Sequence, residues 1–525
     1  MNHSRHQSIR AVQPLNLSQS LATLLKGIVT VSPREDCIVS SITQDSREVV
    51  KGSLFVALKG LSQHGLKYAE EVQKQGASAI LWEADATEND LESYVANLVI
   101  PCLAVSNLRS HLGLIADRFY HSPSQSLNVI GITGTDGKTS VSHFLAQSLD
   151  DCAVIGTIGT GIPGKLQKAT HTTPDVLSVH KTLAELKSQG IRSVAMEVSS
   201  HALDQGRVDQ VDFDVAVLTN LSRDHLDYHK TVEAYAEAKA KLFDWSGLNK
   251  RVINLDDAFG QKLLKKGGDG YLYSITEPES SANRFKSDKR RLSAKITAKN
   301  ARFSETGISA TILLENPSAK KQKNEQGELN VKVLGRFNLS NLLATLATML
   351  ALGESLDTAL QRINQVQTVE GRMQKVSDSD VLVVVDFAHT PNALETVLKA
   401  LREHTRKQLI CVFGCGGDRD AGKRPLMAAV AEAQADVVIT TDDNPRTEDP
   451  EKIMQDIMAG FRQPQRVTVE HDRAAAIQIA LQQAGKGDVV LIAGKGHEKV
   501  QITANGTIPF SDQEQASRVL QEMAA

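Results

Sequence analysis

Ile130-Gly131-Ile132-Thr133-Gly134-Thr135-Asp136-Gly137-Lys138-Thr139-Ser140 orders glycines, a lysine and hydroxyls in the way that binds phosphate. Glycines let the backbone curl so that N–H groups converge on an anion, and the helix that follows adds its positive end. Lys138 would reach the outer phosphates of a nucleotide, and the Thr139 hydroxyl would sit on Mg²⁺. The usual phosphate loop has its first glycine five residues before Gly137, where this chain has Ile132. Its glycines fall at Gly131 and Gly134, so the loop is a variant. The plain alternative is a glycine turn between a strand and a helix.

Further polar clusters follow apolar runs. Ser193 to Val198 ends in Glu197, then Ser199, Ser200 and His201. Glu197 reads either as a Mg²⁺ ligand, since Mg²⁺ takes oxygen donors, or as a solvated carboxylate. Thr219 to Asp227 gathers Asn220, Arg223, Asp224, His225 and Asp227, with His225 a candidate for a second metal and a capped polar loop the alternative. Tyr235 to Phe243 reads as a helix whose lysines, by composition alone, would be solvated. Gly414 to Asp420, Asp443-Asn444-Pro445-Arg446 and Gly494 to Glu498 each follow a buried-type strand. Each has a simple turn as its alternative, because glycine, Asn-Pro and Asp all favour turns. Three such clusters at the ends of strands in one sheet would share a crevice. Arg419 and Arg446 opposite Glu498 would suit a ligand carrying both carboxylate and ammonium.

The elements that must position these residues are legible from periodicity. Short apolar strands at 80–83 and 102–105, with a helix over 68–76, form a first α/β unit. His121 to Ser126 is polar and reads as a linker. From Leu127, strands at 194–198, 215–218 and 252–254 alternate with helices, which implies a parallel, doubly wound sheet. Thr276 to Arg291 and Asn316 to Glu328 are charged and read as surface loops or hairpin ends. Leu339 to Leu352 reads as an amphipathic helix. From near Gly371, strands at 381–386, 409–413, 437–440 and 489–493 form another parallel sheet. The expected domains are 1–124, 125–369 and 370–525.

A chain of 525 residues is too long for one core. Its net charge of −3 argues against a general nucleic-acid binder, which usually carries a basic surplus. Cys37, Cys102, Cys152, Cys411 and Cys415 are scattered and odd in number, so reduced thiols are expected. Met1 to Leu15 is polar, which predicts no secretory signal. No apolar run reaches the roughly 18 residues of a membrane-spanning helix.

In motif and order, nearly the whole chain resembles the Mur ligases of peptidoglycan synthesis. The likeness runs through Asp45-Ser46-Arg47 with Gly52 to Gly60, the phosphate loop, Thr172-Thr173-Pro174, Met196 to His201 and Asn220 to Asp227. It continues through the Lys239 helix, Asn254 to Asp257, Gly335 to Asn338, Gly371 to Met373 and Asp386 to Pro391. Gly414 to Met427, Asp443 to Arg446 and Gly494 to Glu498 complete it. The resemblance implies an α/β fold of three domains: a UDP-binding domain, a central ATPase with a P-loop-type sheet, and a Rossmann-like C-terminal domain.

Within the family the chain resembles members that join meso-diaminopimelate to UDP-N-acetylmuramoyl-L-alanyl-D-glutamate (UDP-MurNAc-L-Ala-D-Glu). That implies an ATP- and Mg²⁺-dependent, cytoplasmic, monomeric enzyme acting on small molecules, with no nucleic-acid or membrane partner. Gln44, Ser46, Leu61, Ser62 and Gln63 would lie near the UDP group. His171, Thr172, Thr173, Ser199, Gln205 and Arg207 would hold the muramoyl dipeptide. Gly134 to Ser140, Asn338, Arg372 and Asp386 would contact the nucleotide. Lys239 would be carbamylated by CO₂, and Thr139, Glu197, His225 and the modified Lys239 would set two Mg²⁺ ions. Lys138, Glu197, His225 and Lys239 would carry catalysis. Arg419, Asp443, Asn444, Pro445, Arg446, Gly494 and Glu498 would bind the amino acid, with Arg446 matching a second carboxylate that lysine lacks. Asp136 stands where the family usually has Asn, and Phe387 where Tyr is commoner. The rivals are a lysine-adding ligase, which Arg446 disfavours, a folate polyglutamate synthase, which the UDP-type domain disfavours, and a nucleotide-binding regulator.

Overall fold

The computed structural model describes residues 15, 17–60, 63–84, 91–169, 171–265, 270–275, 292–304, 306–316, 324–376 and 381–524. It divides into two compact units, Met1–Tyr271 and Leu272–Ala525.

The first unit opens with a four-stranded parallel sheet: β1 (Ser41–Thr43), β2 (Ser53–Ala57), β3 (Ala79–Glu83) and β4 (Cys102–Val105). Helix α1 (Ala69–Gln75) stops at Gly76, whose φ of 100° supplies the left-handed cap that favours glycine. Helix α2 (Leu108–Phe119) buries Leu112, Ile115 and Phe119 against one sheet face. His121 to Ser126 is no free linker: Pro123–Ser126 is a 3-10 turn, with Pro123 and Ser124 buried. Its polarity misled because the Ser124 hydroxyl is spent on the Asp212 N–H.

The second sheet of this unit is parallel: β5 (Asn128–Thr133), β6 (Cys152–Ile155), β7 (Ser193–Glu197), β8 (Val215–Leu218) and β9 (Lys250–Asn254). They lie in the order β9-β8-β5-β7-β6, so the chain leaves β5 to both sides. Order reversal at β5 opens a crevice beyond its C-terminal end, where open parallel sheets bind ligands. The strands are buried on both faces, which is why they read as unbroken apolar runs. Helices α3 (Lys138–Ser148), α4 (Val176–Ser188), α5 (Ser200–Asp204) and α6 (Val232–Ala240) connect them. Val176, Leu177 and Ala184 of α4 join the core under α2.

The second unit begins with an antiparallel meander, β10 (Leu292–Ser304), β11 (Gly307–Glu315) and β12 (Glu325–Val331). Of the segment over 316–328, expected as a surface loop or hairpin end, the last residues belong to β12, which pairs antiparallel with β11; 317–323 and 276–291 lie outside the described residues. Helix α7 (Arg336–Ala351) is buried at every residue from Asn341 to Ala351, so the expected amphipathic stripe is instead a core helix. Four parallel strands follow: β13 (Leu382–Asp386), β14 (Leu409–Phe413), β15 (Val437–Thr440) and β16 (Val489–Ala493), in the order β13-β16-β14-β15. Separate apolar cores cover the two faces of this sheet. Helices α8 (Lys423–Gln434), α9 (Pro450–Met458), α10 (Arg473–Gln483) and α11 (Asp512–Ala524) pack around it. All five cysteines are free.

Candidate active site

The phosphate-loop residues leave the end of β5. Ile132 is a buried strand residue, so the loop starts only at Gly134, and the displaced glycine spacing follows from that. Gly134 has φ 151°, and a Cβ there would lie 1.9 Å from the Thr219 hydroxyl. Gly137, at φ 83°, caps α3, whose first residues are Lys138, Thr139 and Ser140. Thr219 and Asn220, beyond β8, clamp the loop. The Asp136 carbonyl accepts from the Thr219 hydroxyl at 2.6 Å and the Asn220 amide at 3.2 Å, and the Asp136 N–H donates to Asn220 Oδ1 at 3.0 Å. Asp136 therefore shapes the loop through its main chain while its side chain is exposed. Lys138 Nζ lies over the loop, donating to the Gly134 and Thr135 carbonyls at 2.9 and 2.8 Å.

Glu197 ends β7 and is 1% exposed, so it is not a solvated carboxylate. Its Oε2 accepts from the hydroxyls of Thr139 and Thr157, each at 3.0 Å, and its Oε1 from the Thr157 N–H at 3.0 Å. Sequence reading missed Thr157, although it follows β6 just as the other polar residues follow their strands. The Thr157 hydroxyl also meets that of Thr172 at 3.1 Å. Thr173 Oγ1 donates to the Glu197 carbonyl at 2.8 Å and accepts from the Ser199 N–H at 3.1 Å. Arg207 donates to the Thr173 carbonyl at 3.0 Å and forks onto Gln205 Oε1 at 2.9 and 2.6 Å. Thr172, Thr173, Ser199, Gln205 and Arg207 are thus one connected wall, with His171 exposed beside it.

Lys239 is 1% exposed, whereas Lys241 two residues on is exposed and paired with Asp204. Lys239 Nζ donates to the Gly134 carbonyl at 2.8 Å and stands 4.5 Å from the Tyr235 ring centroid. Burial, and then the charge of Lys138, hold its amine well below the ordinary lysine value of 10.5. Tyr235 in turn touches the Thr135 hydroxyl at 3.1 Å. His225, at φ 51°, has its ring 6.0 Å from that of Tyr235 and pairs with Asp224 at 3.4 Å. Among the described residues no three His, Cys, Asp or Glu side chains group as a metal cage. The Thr139 hydroxyl and the Glu197 carboxylate, 3.0 Å apart, nevertheless offer Mg²⁺ the oxygen donors it prefers, with water and substrate phosphates to complete its shell.

Gln44 and Ser46 line an open cavity of about 750 Å³ with Arg47, Phe55, Tyr68 and Lys181. Gln44 donates to Asp175, the N-cap of α4, at 3.3 Å. Gln63 bonds the Tyr68 hydroxyl. Leu61 and Ser62 lie outside the described residues.

In the second unit, Asn338 is buried and its amide group bonds the Leu334 carbonyl and Asn341. Asp386 is buried, accepting from the Met373 N–H at 2.7 Å and the Ala388 N–H at 2.8 Å. Burial raises its pKa against the pull of Arg372. The Arg372 guanidinium stands 5.2 Å from the Phe387 ring centroid.

Loops after β14, β15 and β16 meet, as their placement in sequence implied. Asn444 is the hub: its Nδ2 donates to Glu498 at 2.8 Å, and its Oδ1 accepts from Lys495 at 3.0 Å and the Ile502 N–H at 2.9 Å. Lys495 is buried and also reaches Glu498 at 3.1 Å. Sequence reading missed Lys495, which passed for part of a glycine turn. Asp443 is buried, and burial raises its pKa against Arg473 and Lys495. A Cβ on Gly494 would fall 2.4 Å from Asp443 Oδ2. Pro445 is buried, Arg446 donates to the Gly417 carbonyl at 2.8 Å, and Arg419 is exposed at the rim.

The chain is similar to known proteins along most of its length. The description "Mur ligase family, catalytic domain" matches residues 38–120, "Mur ligase middle domain" 132–349, and "Mur ligase, glutamate ligase domain" 371–496. A protein of Ectopseudomonas mendocina (strain ymp), named UDP-N-acetylmuramoyl-L-alanyl-D-glutamate--2,6-diaminopimelate ligase, is 47% identical, over 97% of this chain and 98% of its own length. One of the same name from Pseudomonas aeruginosa is 49% identical over 92% of this chain and 96% of its own. A solved structure titled with that name covers 97% of this chain and 100% of its own, at 34% identity and a TM-score of 0.69.

Proposed function

The chain belongs to the Mur ligase family, and from that premise we propose that it adds meso-diaminopimelate to UDP-MurNAc-L-Ala-D-Glu with hydrolysis of ATP to ADP and phosphate. The observation that carries the reading is Glu197. Its buried carboxylate ties Thr139 of the nucleotide loop to Thr157, and its carbonyl to Thr173 of the wall beside it. The loop that would take ATP and the wall that would take the acceptor peptide are thereby joined through one residue.

The D-glutamate γ-carboxylate attacks the γ-phosphorus of ATP, giving an acyl phosphate and ADP. Phosphoryl transfer is mainly alignment and charge stabilisation. Gly134 to Ser140 cradle the phosphates, and Lys138 turns from the loop carbonyls to the outer phosphates. Thr172, Thr173, Ser199, Gln205 and Arg207 hold the peptide in line, with His171 at the edge. Thr139, Glu197, His225 and Lys239 would hold Mg²⁺, which would supply charge neutralisation on the transferring group. The neutral Lys239 amine bonds the carbon of CO₂ and loses one proton, leaving a carbamate. Asn338, Arg372 and Asp386 border the nucleotide, and Gln44, Ser46 and Gln63 the uridine end. The diaminopimelate amine attacks the acyl carbon and expels phosphate. Arg419, Asp443 to Arg446, Gly494 and Glu498 orient that amine and its carboxylates.

This reading includes the division into domains at 1–124, 125–369 and 370–525, a cytoplasmic place in peptidoglycan precursor synthesis, and a monomer. Among the described residues no helix is long and apolar enough to cross a membrane. The test is phosphate release from ATP with Mg²⁺ and UDP-MurNAc-L-Ala-D-Glu, comparing meso-diaminopimelate, L-lysine and no amino acid. Release with diaminopimelate alone is expected; release with lysine instead would sink the assignment of Arg446, and release with neither would sink the ligase.

A further inference from the structure

Two facing loops of the crevice in the second unit each carry a side-chain-bearing residue in the left-handed region: Asp418 at φ 53° and Arg446 at φ 55°. Such backbone persists where the surroundings over-determine it. Here each loop is fixed by a carboxylate from the other. Asp418 Oδ2 accepts from the Thr447 N–H at 3.0 Å and its hydroxyl at 2.9 Å. Glu448 Oε2 accepts from the Asp418 N–H at 3.0 Å. Glu448 is itself held by the buried Arg424 of α8 through two bonds of 2.7 Å, the planar fork-to-carboxylate pairing that fixes both groups. Arg424 also reaches Asp456 on α9 at 2.8 Å and the Gly416 carbonyl at 3.3 Å.

Arg446 lies inside this frame. Its N–H donates to the Ile502 carbonyl at 3.0 Å and its Nη1 to the Gly417 carbonyl at 2.8 Å. Gly416 and Gly417 make room: a Cβ on Gly416 would lie 2.9 Å from Arg446 Nη1, and one on Gly417 1.9 Å from the Pro445 carbonyl oxygen. Among the described residues the guanidinium is gripped by Nη1 alone, which also reaches the Asn444 carbonyl at 3.4 Å, leaving its other edge for a ligand.

We propose that Asp418, Thr447, Glu448 and Arg424 form a brace that presets Arg446 for the carboxylate distinguishing diaminopimelate from lysine, making Glu448 a positioning residue for amino-acid selectivity. The proposal rests on the reading that this crevice takes diaminopimelate. A guanidinium ordered before binding loses little freedom when the carboxylate arrives, so its whole attraction goes into discrimination. Without the brace, Asp418 and Arg446 relax toward negative φ and the fork leaves its aim.

Glu448→Gln keeps the shape and loses the charge. It is expected to raise KM for diaminopimelate about tenfold or more, the worth of a charge-assisted contact. KM for ATP and for the UDP-peptide should stay near wild type, and the kcat/KM preference for diaminopimelate over lysine should fall by a similar factor. Thr447→Val, which leaves every charge in place, should move the same quantities less, and it decides the matter should Glu448→Gln fail to fold. In a cycle with Arg446→Ala, Glu448→Gln should add nothing further. Unchanged selectivity, an equal rise in all three KM values, or strict additivity in the cycle would overturn the brace. Absence of diaminopimelate-dependent phosphate release in the wild type would instead overturn the underlying assignment, and shows before any variant is made.

Discussion

Gly156→Ala adds one methyl group and removes no functional atom, yet it should nearly silence the enzyme. Gly156 follows β6, and a Cβ there would lie 2.2 Å from Glu197 Oε1 and 2.7 Å from its Cδ. Ordinary contact begins near 3.4 Å, so the carboxylate has to retreat by about 1.2 Å. Three bonds of 3.0 Å hold it where it is. Losing two of them, at roughly 1.5–3 kcal/mol for each contact to a charged group, costs about 3–6 kcal/mol. Beyond that loss of stability, a displacement of this size at a positioning group should lower kcat/KM by about 10²-fold or more. Gly156 does not occupy the left-handed region, so the backbone itself accepts alanine and the effect falls on Glu197. The assay is phosphate release at saturating UDP-peptide and diaminopimelate with ATP varied, alongside a thermal melt. Gly485→Ala is the control, since its Cβ would meet nothing closer than 3.7 Å. A folded Gly156→Ala enzyme with wild-type kcat/KM would refute the reasoning, because the position of Glu197 would then not matter.

Lys239→Met should abolish activity yet change the pH dependence of stability in a defined sense. The folded amine titrates well below 10.5, so between its folded value and 10.5 the unfolded chain binds the extra proton and stability rises with pH; denaturant midpoints in CO₂-free buffer should show that rise in the wild type and lose it in the variant. Arg446→Ala should raise KM for diaminopimelate about 10²-fold while sparing ATP, as expected when a buried carboxylate loses its fork; steady-state kinetics with each substrate varied checks it. His404 accepts the Gly335 N–H on Nε2 at 2.9 Å and gives its Nδ1 proton to the Ser304 carbonyl at 2.7 Å, so it is neutral. Burial lowers its pKa from 6.5, so its contribution is complete above 6.5 and is lost as pH falls toward the folded value; urea melts of wild type and His404→Gln should converge on acidification over that window.

The strands were legible because parallel strands buried on both faces leave continuous apolar runs, as at Val215–Leu218 and Leu409–Phe413. The polar clusters after them were legible because the C-terminal ends of such strands are where ligands bind. What escaped was long-range. Nothing local to Lys239 distinguishes it from Lys241; it is buried because Gly134, 105 residues earlier, places a carbonyl over it. Thr157 stood in plain sequence, but its meaning comes from Glu197 forty residues on. Leu339 to Leu352 misread as amphipathic because its threonines satisfy themselves: Thr345 and Thr348 bond the carbonyls of Asn341 and Ala344, four residues back, and pass as core.

Carboxylates at strand ends can serve folding or chemistry, and their partners separate the two. Asp386 ends β13 with each oxygen on a main-chain N–H, from Met373 and Ala388, in a core that encloses it. Main-chain donors cannot rotate away, so this carboxylate acts at the nucleotide border by holding the Met373 segment against the sheet. Glu197 ends β7 with two of its three donors being hydroxyls, from Thr139 and Thr157. A hydroxyl rotates, and can present its lone pairs to a cation as readily as its proton to a carboxylate. Glu197 is therefore buried without being committed, which is the condition for a side chain that must exchange partners when nucleotide and metal arrive. Asp418 and Glu448 lie between these cases: both hold main-chain N–H groups, but of the loops that carry Arg419 and Arg446.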